Sequence, residues 1–348
     1  MSAAPELDAD VGDLRRLVDQ PGGDTWFTAV VPAPSRVDDA AHRFHVSWTN
    51  ARRQLEKRWS DELDDIDTRV AELPHDGGEA LVVVHRADGP TLYEFLDEPV
   101  HESVVAESVA PRLTTIIESR QRTIPHVVVE ADRTGADITA FEGGRVLAVD
   151  QVDGDTEHIH RGHFGGWSHR RFQQRAENTW DRNADDVADT AAKLAGRIAA
   201  DVVFVAGETR ARHLVVESLA GVQDLHVVNI EAGDPDGIAD AVVRSLSDRV
   251  ASAVTALAEE VKNRLGTGTA ASRTDDVLAR LAEGRVDVLL VHDDGSDDPG
   301  TDDEIAGVPA GARVVDAAVV AALRSDARIV VVPNLAFMEG PLASLDRW

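Results

Sequence analysis

The stretch HVVVEADRTGADITAFEGGRVLAVD, residues 126–150, decides the fold. Turn residues at 133–135 and 143–144 interrupt its apolar runs, so the pattern predicts three strands joined by two turns. After a polar loop, Ser168 can cap a long helix that reaches about Ala200. Apolar runs at 201–207 and 226–233 then alternate with helical segments up to residue 265. This order predicts an α/β domain with a mixed or parallel sheet covered by helices.

The segments on either side predict two further α/β domains. Residues 1–122 form the N-terminal domain, because Ile124-Pro125 disfavours a continuing helix. Residues 123–265 form the central domain. The small-residue linker GTGTAAS, residues 266–272, opens a C-terminal domain, residues 266–348, in which helices and strands alternate again. A chain of 348 residues is long enough for two or three such cores.

The composition excludes several classes of protein. Cysteine is absent, which rules out disulfides, thiolate catalysis and cysteine-based zinc sites. No run approaches the roughly 20 apolar residues that span a bilayer, and the N-terminal sequence lacks a basic start and an apolar core. The sequence therefore predicts a cytoplasmic protein without a membrane partner. A formal net charge of -28 repels nucleic acid on average, so DNA is not expected as a partner and any RNA contact needs a local basic patch.

One segment reverses this charge: HIHRGHFGGWSHRRFQQRAENTWDRN, residues 158–183. Its arginines outnumber its two carboxylates, Glu177 and Asp181. Arg171, Arg175 and Arg182 are spaced by four and seven, which places them on one helical face, where guanidinium groups could bind successive phosphates. The segment is therefore the candidate basic patch.

The tip of this segment has the features of an RNA-probing loop. Gly165 and Gly166 lack Cβ atoms, so the backbone can approach a partner closely. Trp167 offers a flat surface on which an unpaired base can stack. The predicted RNA-binding residues are Arg161, His163, Gly165, Gly166, Trp167, Ser168, His169, Arg170, Arg171 and Arg175.

Other interpretations of the same segment stay open. The arginines could form a solvated face paired with Glu177 and Asp181. The histidines at 158, 160 and 163 could bind a metal ion, but no carboxylate cluster completes the ligand set, so neither a metal nor a cofactor is predicted.

Three further stretches carry weaker signals. Residues 132–136 predict a hairpin turn. The acidic run at 293–304 lacks the ligand spacing of a calcium loop and predicts a solvated loop. The cluster Arg52, Arg53, Lys57 and Arg58 indicates an ion-paired helix, with a second RNA contact as the alternative.

The three-stranded opening that leads to a Gly-Gly loop, the arginine-bearing helix and the βαβα continuation resemble the central domain of eukaryotic and archaeal peptide-chain release factors and their relative Pelota. The sequence GGWSHRRFQQRAENTW, residues 165–180, is still more similar to the bacterial members, which include the Balon-like actinobacterial ribosome hibernation factors. The flanking domains match in order and size, and the last is similar to an L7Ae-like fold. The resemblance therefore implies a three-domain release-factor-like architecture.

In release factors the loop is Gly-Gly-Gln, and the glutamine helps to position water against the peptidyl-tRNA ester. Trp167 stands at that position here, and an indole has one N–H donor and no carbonyl oxygen to hold a water. The stop-codon motif Asn-Ile-Lys-Ser is also absent. The resemblance thus implies a non-enzymatic hibernation factor that responds to stress and binds ribosomal RNA at the A site and peptidyl-transferase centre of the 70S ribosome. It also implies elongation factor Tu as a further partner.

Two alternatives remain. The first is a ribosome-rescue enzyme that cleaves peptidyl-tRNA or tRNA ends, for which His160, His163 and His169 are the nearby titratable groups. The second is an acidic protein-binding module without an RNA partner. Salt-insensitive binding would indicate that module, because RNA contacts weaken steeply with salt.

Overall fold

The computed structural model describes residues 7, 9–34, 38–74, 77–132, 135–153, 167–296 and 300–348. At residue 153 and at residues 167–180 it describes the backbone alone. The helices are α1 Gly12–Asp19, α2 Ala40–Glu72, α3 Thr114–Arg122, α4 Trp167–Arg197, α5 Thr209–Leu219, α6 Pro235–Leu265, α7 Thr274–Ala282 and α8 Val314–Arg324. The strands are β1 Trp26–Pro32, β2 Ala80–Arg86, β3 Thr91–Leu96, β4 Val104–Ser108, β5 His126–Ala131, β6 Gly135–Glu142, β7 Arg145–Asp153, β8 Val202–Gly207, β9 His226–Asn229, β10 Ala270–Ala271, β11 Val286–Val291, β12 Arg328–Val331 and β13 Leu342–Asp346.

These elements form two compact units. One unit contains residues 1–121 together with residues 250–348, and the other contains residues 122–249. The N-terminal and C-terminal segments therefore share one unit. The finer division at residues 122 and 265 stays a prediction.

The central unit is built on a five-stranded sheet in the order β7-β6-β5-β8-β9. Strands β5, β8 and β9 are parallel, whereas β6 and β7 run antiparallel to their neighbours. Helices α4 and α5 pack on one face, and α6 packs on the other. The predicted α/β class, the mixed sheet and the long helix are confirmed. Strands β5 and β6 pair antiparallel, and residues 133 and 134 of the predicted hairpin turn lie outside the described residues.

The other unit is held together by helix α8. Each residue from Val315 to Leu323 is buried. A helix that is apolar on all sides must be covered on all sides. The C-terminal sheet, in the order β10-β13-β11-β12, supplies Leu289 and Ile329 to the same core, and the N-terminal sheet, in the order β3-β2-β1-β4, supplies Val82 and Val84. Helix α8 therefore makes one core out of two sheets.

Helix α2 is not a straight rod. The indole Nε1 of Trp48 donates to Asp67 Oδ1 at 2.7 Å, and Arg52 Nε donates to Asp67 Oδ2 at 2.6 Å. Nineteen residues of straight helix would separate Trp48 from Asp67 by about 28 Å. Trp59 has non-helical angles, φ -117° and ψ 19°. The long amphipathic stretch predicted at 37–73 is therefore helical, and it folds back on itself at Trp59.

We expect Asp67→Ala to lower the free energy of unfolding by about 1–2 kcal/mol, because the buried indole N–H of Trp48 loses its acceptor. Urea unfolding followed by circular dichroism measures this change. Asp64→Ala is the matched control, since that side chain is 84% exposed, and it should shift stability by less than about 0.5 kcal/mol. Equal effects of the two substitutions would contradict the reversal at Trp59.

Candidate functional site

Helix α4 carries most of the predicted RNA-binding residues. The sequence predicts a helix from Ser168 to about Ala200, and α4 confirms it. Arg161, His163, Gly165 and Gly166 lie outside the described residues. For the remaining predicted RNA-binding residues the structure describes only the backbone, which forms the first turns of α4. These residues are Trp167, Ser168, His169, Arg170, Arg171 and Arg175.

The second half of α4 anchors the helix to the central sheet. Its buried side chains are Ala184, Val187, Ala188, Ala191, Leu194, Ala195 and Ile198. They pack against Val127 and Val129 of β5 and Ile138 of β6. The backbone of the predicted RNA-binding turns is thus the N-terminal continuation of a helix that is fixed from residue 184 onward.

The register of α4 turns the arginine positions away from this core. Arg182 is exposed, and Ala184, two residues later, is buried. At about 100° per residue, positions 171 and 175 lie within about 20° of position 182 around the helix axis. The helical register therefore places Arg171 and Arg175 on the side that carries Arg182, opposite the sheet.

The charge along α4 changes sign near residue 181. Arg170, Arg171 and Arg175 precede this point and Arg182 adjoins it, whereas Asp185, Asp186 and Asp189 follow it and are exposed. Ser218 of α5 donates to Asp185 at 2.8 Å, so part of the acidic half is tied to the neighbouring helix. The arginine end therefore favours an anionic partner, and the run of aspartates that follows disfavours one.

A shallow pocket lies beside α4, at the carboxyl ends of β5 and β8. Its lining includes Asp132, Asn183, Glu208 and Arg210. Glu208 caps α5 by accepting the backbone N–H of Ala211 at 3.2 Å. Across the described parts of the chain, no group of three His, Asp or Glu side chains could hold a metal ion. The histidines that could complete a catalytic or metal-binding set lie outside the described side chains, at 158, 160, 163 and 169.

The second basic cluster is largely engaged within the protein. Arg52 pairs with Glu56, Asp64 and Asp67 of its own helical hairpin. Arg58 donates to Thr25 Oγ1 at 2.8 Å. The ion-paired interpretation of this cluster is confirmed for Arg52, while Arg53 and Lys57 are exposed.

The acidic run at 293–304 begins with a residue that is not solvated, which corrects the sequence prediction. The side chain of Asp293 is 10% exposed and accepts hydrogen bonds from Arg313 and from Thr114 of α3. Arg313 also contacts Asp316 Oδ1 at 3.3 Å, and Asp316 is fully buried. A lone aspartate in the apolar helix α8 was the available signal, because a buried carboxylate requires such partners.

A cavity of about 230 Å³ adjoins this ion network at the carboxyl ends of β11 and β12. Its polar lining includes His292, Asp293, Asp294, Ser296, Arg313 and Asn334. Burial alone would raise the pKa of Asp293, but the hydrogen bonds from Arg313, Thr114 and the Gly295 amide together lower it below its ordinary value. The carboxylates of Asp293 and Asp316 are therefore paired with Arg313 beside this cavity. This pairing favours a structural role for the ion network.

A match to a protein family covers the region built around α4. Residues 125–287, a little under half of the chain, match the model described as bacterial archaeo-eukaryotic release factor family 2. The chain is also similar to "Uncharacterized protein Rv2629" of Mycobacterium tuberculosis (strain ATCC 25618 / H37Rv), at 26% identity over 265 residues, which covers 73% of this chain and 71% of that protein.

Two solved structures are also similar. An archaeal translation termination factor, aRF1, is 19% identical with a TM-score of 0.25, and the match covers 97% of both chains. An archaeal Pelota, from a model of ribosome-bound Pelota and ABCE1, is 15% identical with a TM-score of 0.40, and the match covers 99% of this chain and 95% of that one. Because both TM-scores lie below 0.5, the relationship rests on the family match.

The family match at residues 125–287 confirms the predicted resemblance to the release-factor superfamily. Placement among the Balon-like hibernation factors stays a prediction. In the described part of the chain, no helix is both long enough and apolar enough to cross a bilayer.

We expect Asp293→Asn to lower the free energy of unfolding at pH 7 by about 3 kcal/mol, because it removes one carboxylate from a buried ion network. A carboxyl group with a depressed folded-state pKa stabilises the fold above its unfolded pKa of about 4, and this contribution disappears as the pH falls through the folded pKa. The wild type should therefore lose stability below pH about 4 more steeply than the variant. Denaturant unfolding from pH 7 to pH 3 measures both effects.

The matched control is Asp303→Asn, which changes an exposed aspartate of the same loop. It should shift stability by less than about 0.5 kcal/mol at every pH. An Asp293 variant as stable as this control would show that the network contributes nothing.

Proposed function

We propose that this release-factor-like protein is a ribosome hibernation factor that occupies the vacant A site of the 70S ribosome and blocks translation reversibly. The observation that carries the proposal is the family match at residues 125–287, which includes Gly165-Gly166 followed by Trp167. In release factors the corresponding loop reaches the peptidyl-transferase centre. The same loop here would occupy that centre with a tryptophan in place of the reactive glutamine.

The charge distribution supports contact with RNA at one end of α4 only. The amino end of a helix carries a partial positive charge, and Arg170, Arg171 and Arg175 follow directly on it. The remaining surface of a chain with net charge -28 repels phosphate. A local basic end on an acidic body favours a single, oriented contact with ribosomal RNA over diffuse binding.

The replacement of glutamine supports a blocking role over peptide release. Release requires a group that positions water against the ester, and an indole cannot accept a hydrogen bond from that water. Trp167 can instead stack on an unpaired base and strengthen binding. The protein therefore acts by occupancy. A cytoplasmic location and a role under stress follow from this proposal, and elongation factor Tu is its further proposed partner.

We expect the protein to co-sediment with purified 70S ribosomes and to dissociate as salt increases, because displaced counterions oppose binding to phosphate. Each lost phosphate contact should reduce the slope of log affinity against log salt by about 0.7–0.9. Replacing Arg171 and Arg175 by alanine together should thus reduce the slope by about 1.5 and weaken binding at low salt. A salt series from 50 to 300 mM, quantified by sedimentation, measures the slope.

The matched control is Arg244→Ala, which removes an exposed arginine from α6 and leaves the arginine end of α4 intact. It should leave the slope unchanged. Binding that does not respond to salt would support the acidic protein-binding module, and absence of ribosome binding would refute the proposal.

We expect the wild type to release no peptide from ribosome-bound peptidyl-tRNA above the protein-free rate. Trp167→Gln restores Gly-Gly-Gln and should raise release above that rate, because an amide can both donate and accept hydrogen bonds. Release of radiolabelled peptide measures the rate, and the matched control is Trp348→Gln, which changes a tryptophan that is 69% exposed. Hydrolysis or tRNA cleavage by the wild type that disappears when His160, His163 and His169 are replaced would instead establish the ribosome-rescue enzyme.

A further inference from the structure

Among the described residues, no helix covers strand β7 on the sheet face of the central unit that α6 packs against. Helix α6 packs over β5, β8 and β9 through Ile238, Val242 and Leu246. The same face continues onto β6, where Phe141 is partly buried at the border of the α6 core, and onto β7. There Phe141 pairs with Val146, and Thr139 pairs with Val149. We call this continuation the β6–β7 face, and its residues are Asp137, Thr139, Phe141, Val146 and Val149.

The β6–β7 face is apolar and exposed. Val146 is 56% exposed and Val149 is 68% exposed. Leu147, also 56% exposed, lies at the irregularity in the β6–β7 pairing. These three residues fall within four positions of one strand, whereas the other exposed large apolar residues of the described chain are dispersed. Such a concentration on a folded surface marks a contact site.

The strand that carries this patch is also an edge strand. Strand β7 is the last in the sheet order, and no strand of the described chain pairs with its outer side. Natural proteins usually protect an edge with charged side chains, proline or a short strand. Here nine residues form the edge, and Val146, Leu147 and Val149 stand exposed between the polar residues Arg145, Asp150 and Gln151. The backbone edge and the apolar side chains therefore offer one continuous surface.

An acidic pair borders this surface. Glu130 of β5 lies directly opposite Asp137 of β6, and both are exposed. Glu130 follows Val129 and Asp137 precedes Ile138, both buried on the α4 face, so the two carboxylates point to the β6–β7 face. Like charges directly opposite one another destabilise a sheet. Among the described residues no cation pairs with either, so a cation from a partner would relieve the repulsion.

We propose that the β6–β7 face docks a basic amphipathic segment of a partner protein. Its apolar side chains would cover Phe141, Val146 and Val149, in the layer that α6 fills over the neighbouring strands. Its lysine or arginine side chains would lie beside Glu130 and Asp137. The carboxylates oppose phosphate, so RNA is not the occupant. This docking face is separate from the arginine end of α4 and does not depend on ribosome binding.

The probe is a fluorescein-labelled 18-residue helical peptide of leucine and lysine, with a leucine–glutamate peptide of the same pattern as its negative counterpart. Fluorescence anisotropy should show binding of the leucine–lysine peptide only. The double variant Val146→Ser, Val149→Ser should weaken that binding at least tenfold. The matched control Val243→Ser changes an exposed valine of α6, 63% exposed, and should leave the affinity unchanged. Thermal melting by circular dichroism verifies that each variant is folded.

A charge exchange tests the acidic pair. Glu130→Lys together with Asp137→Lys should abolish binding of the leucine–lysine peptide and allow the leucine–glutamate peptide to bind. Asp236→Lys together with Asp240→Lys makes the same change in net charge on α6 and should not alter the preference. Equal losses in the two double variants would show that net charge alone drives binding and would overturn the proposal. Direct binding of a fluorescein-labelled 20-nucleotide single-stranded RNA that the Val146→Ser, Val149→Ser variant loses would also overturn it.

Discussion

The packing of the second half of α4 on the central sheet is the constraint on which the rest of the site depends. From Ala184 to Ile198 the helix places its small and branched side chains against β5 and β6. Helix α4 spans Trp167–Arg197, so its backbone carries the predicted RNA-binding turns as a direct extension of this contact. A binding element built on an anchored helix loses little conformational freedom when it meets a partner, which favours a tight and oriented contact.

The acidity of the chain has a second consequence beyond repelling nucleic acid. Many carboxylates crowd the surface, so those that enter the interior must be matched. Asp293 and Asp316 are matched by Arg313, and Asp13 is matched by Arg120. Burial alone would raise the pKa of Asp13, but its hydrogen bonds with Arg120 lower it. The Asp13–Arg120 pair joins α1 to α3, and the hydrogen bond from Thr114 to Asp293 joins the N-terminal to the C-terminal segment. These contacts reinforce the apolar core around α8.

Periodicity predicted the elements better than it predicted their contacts. The strands of β5, β6 and β7 and the helix α4 follow from local alternation and helical spacing, and they lie where the sequence places them. The reversal of α2 escaped prediction, because the apolar spacing continues through Trp59 without a glycine or proline to mark a turn. The burial of Asp293 escaped as well, because its partner Thr114 lies 179 positions away. Side-chain placement in the Gly-Gly-Trp loop was predicted from resemblance and stays a prediction.

The two faces of the central sheet differ in chemistry because helices cover them to different extents. Helices α4 and α5 cover the sheet on one face. A partner on that side therefore meets a helix and not the sheet. On the other face, among the described residues, α6 packs over β5, β8 and β9 and reaches Phe141 of β6, and the exposed apolar residues of β7 lie beyond it, near Glu130 and Asp137. A protein whose net charge repels RNA can tolerate an apolar face without attracting nucleic acid to it. Under the two proposals, the acidic pair would keep the contacts separate, with phosphate at the arginine end of α4 and a basic protein segment at the β6–β7 face.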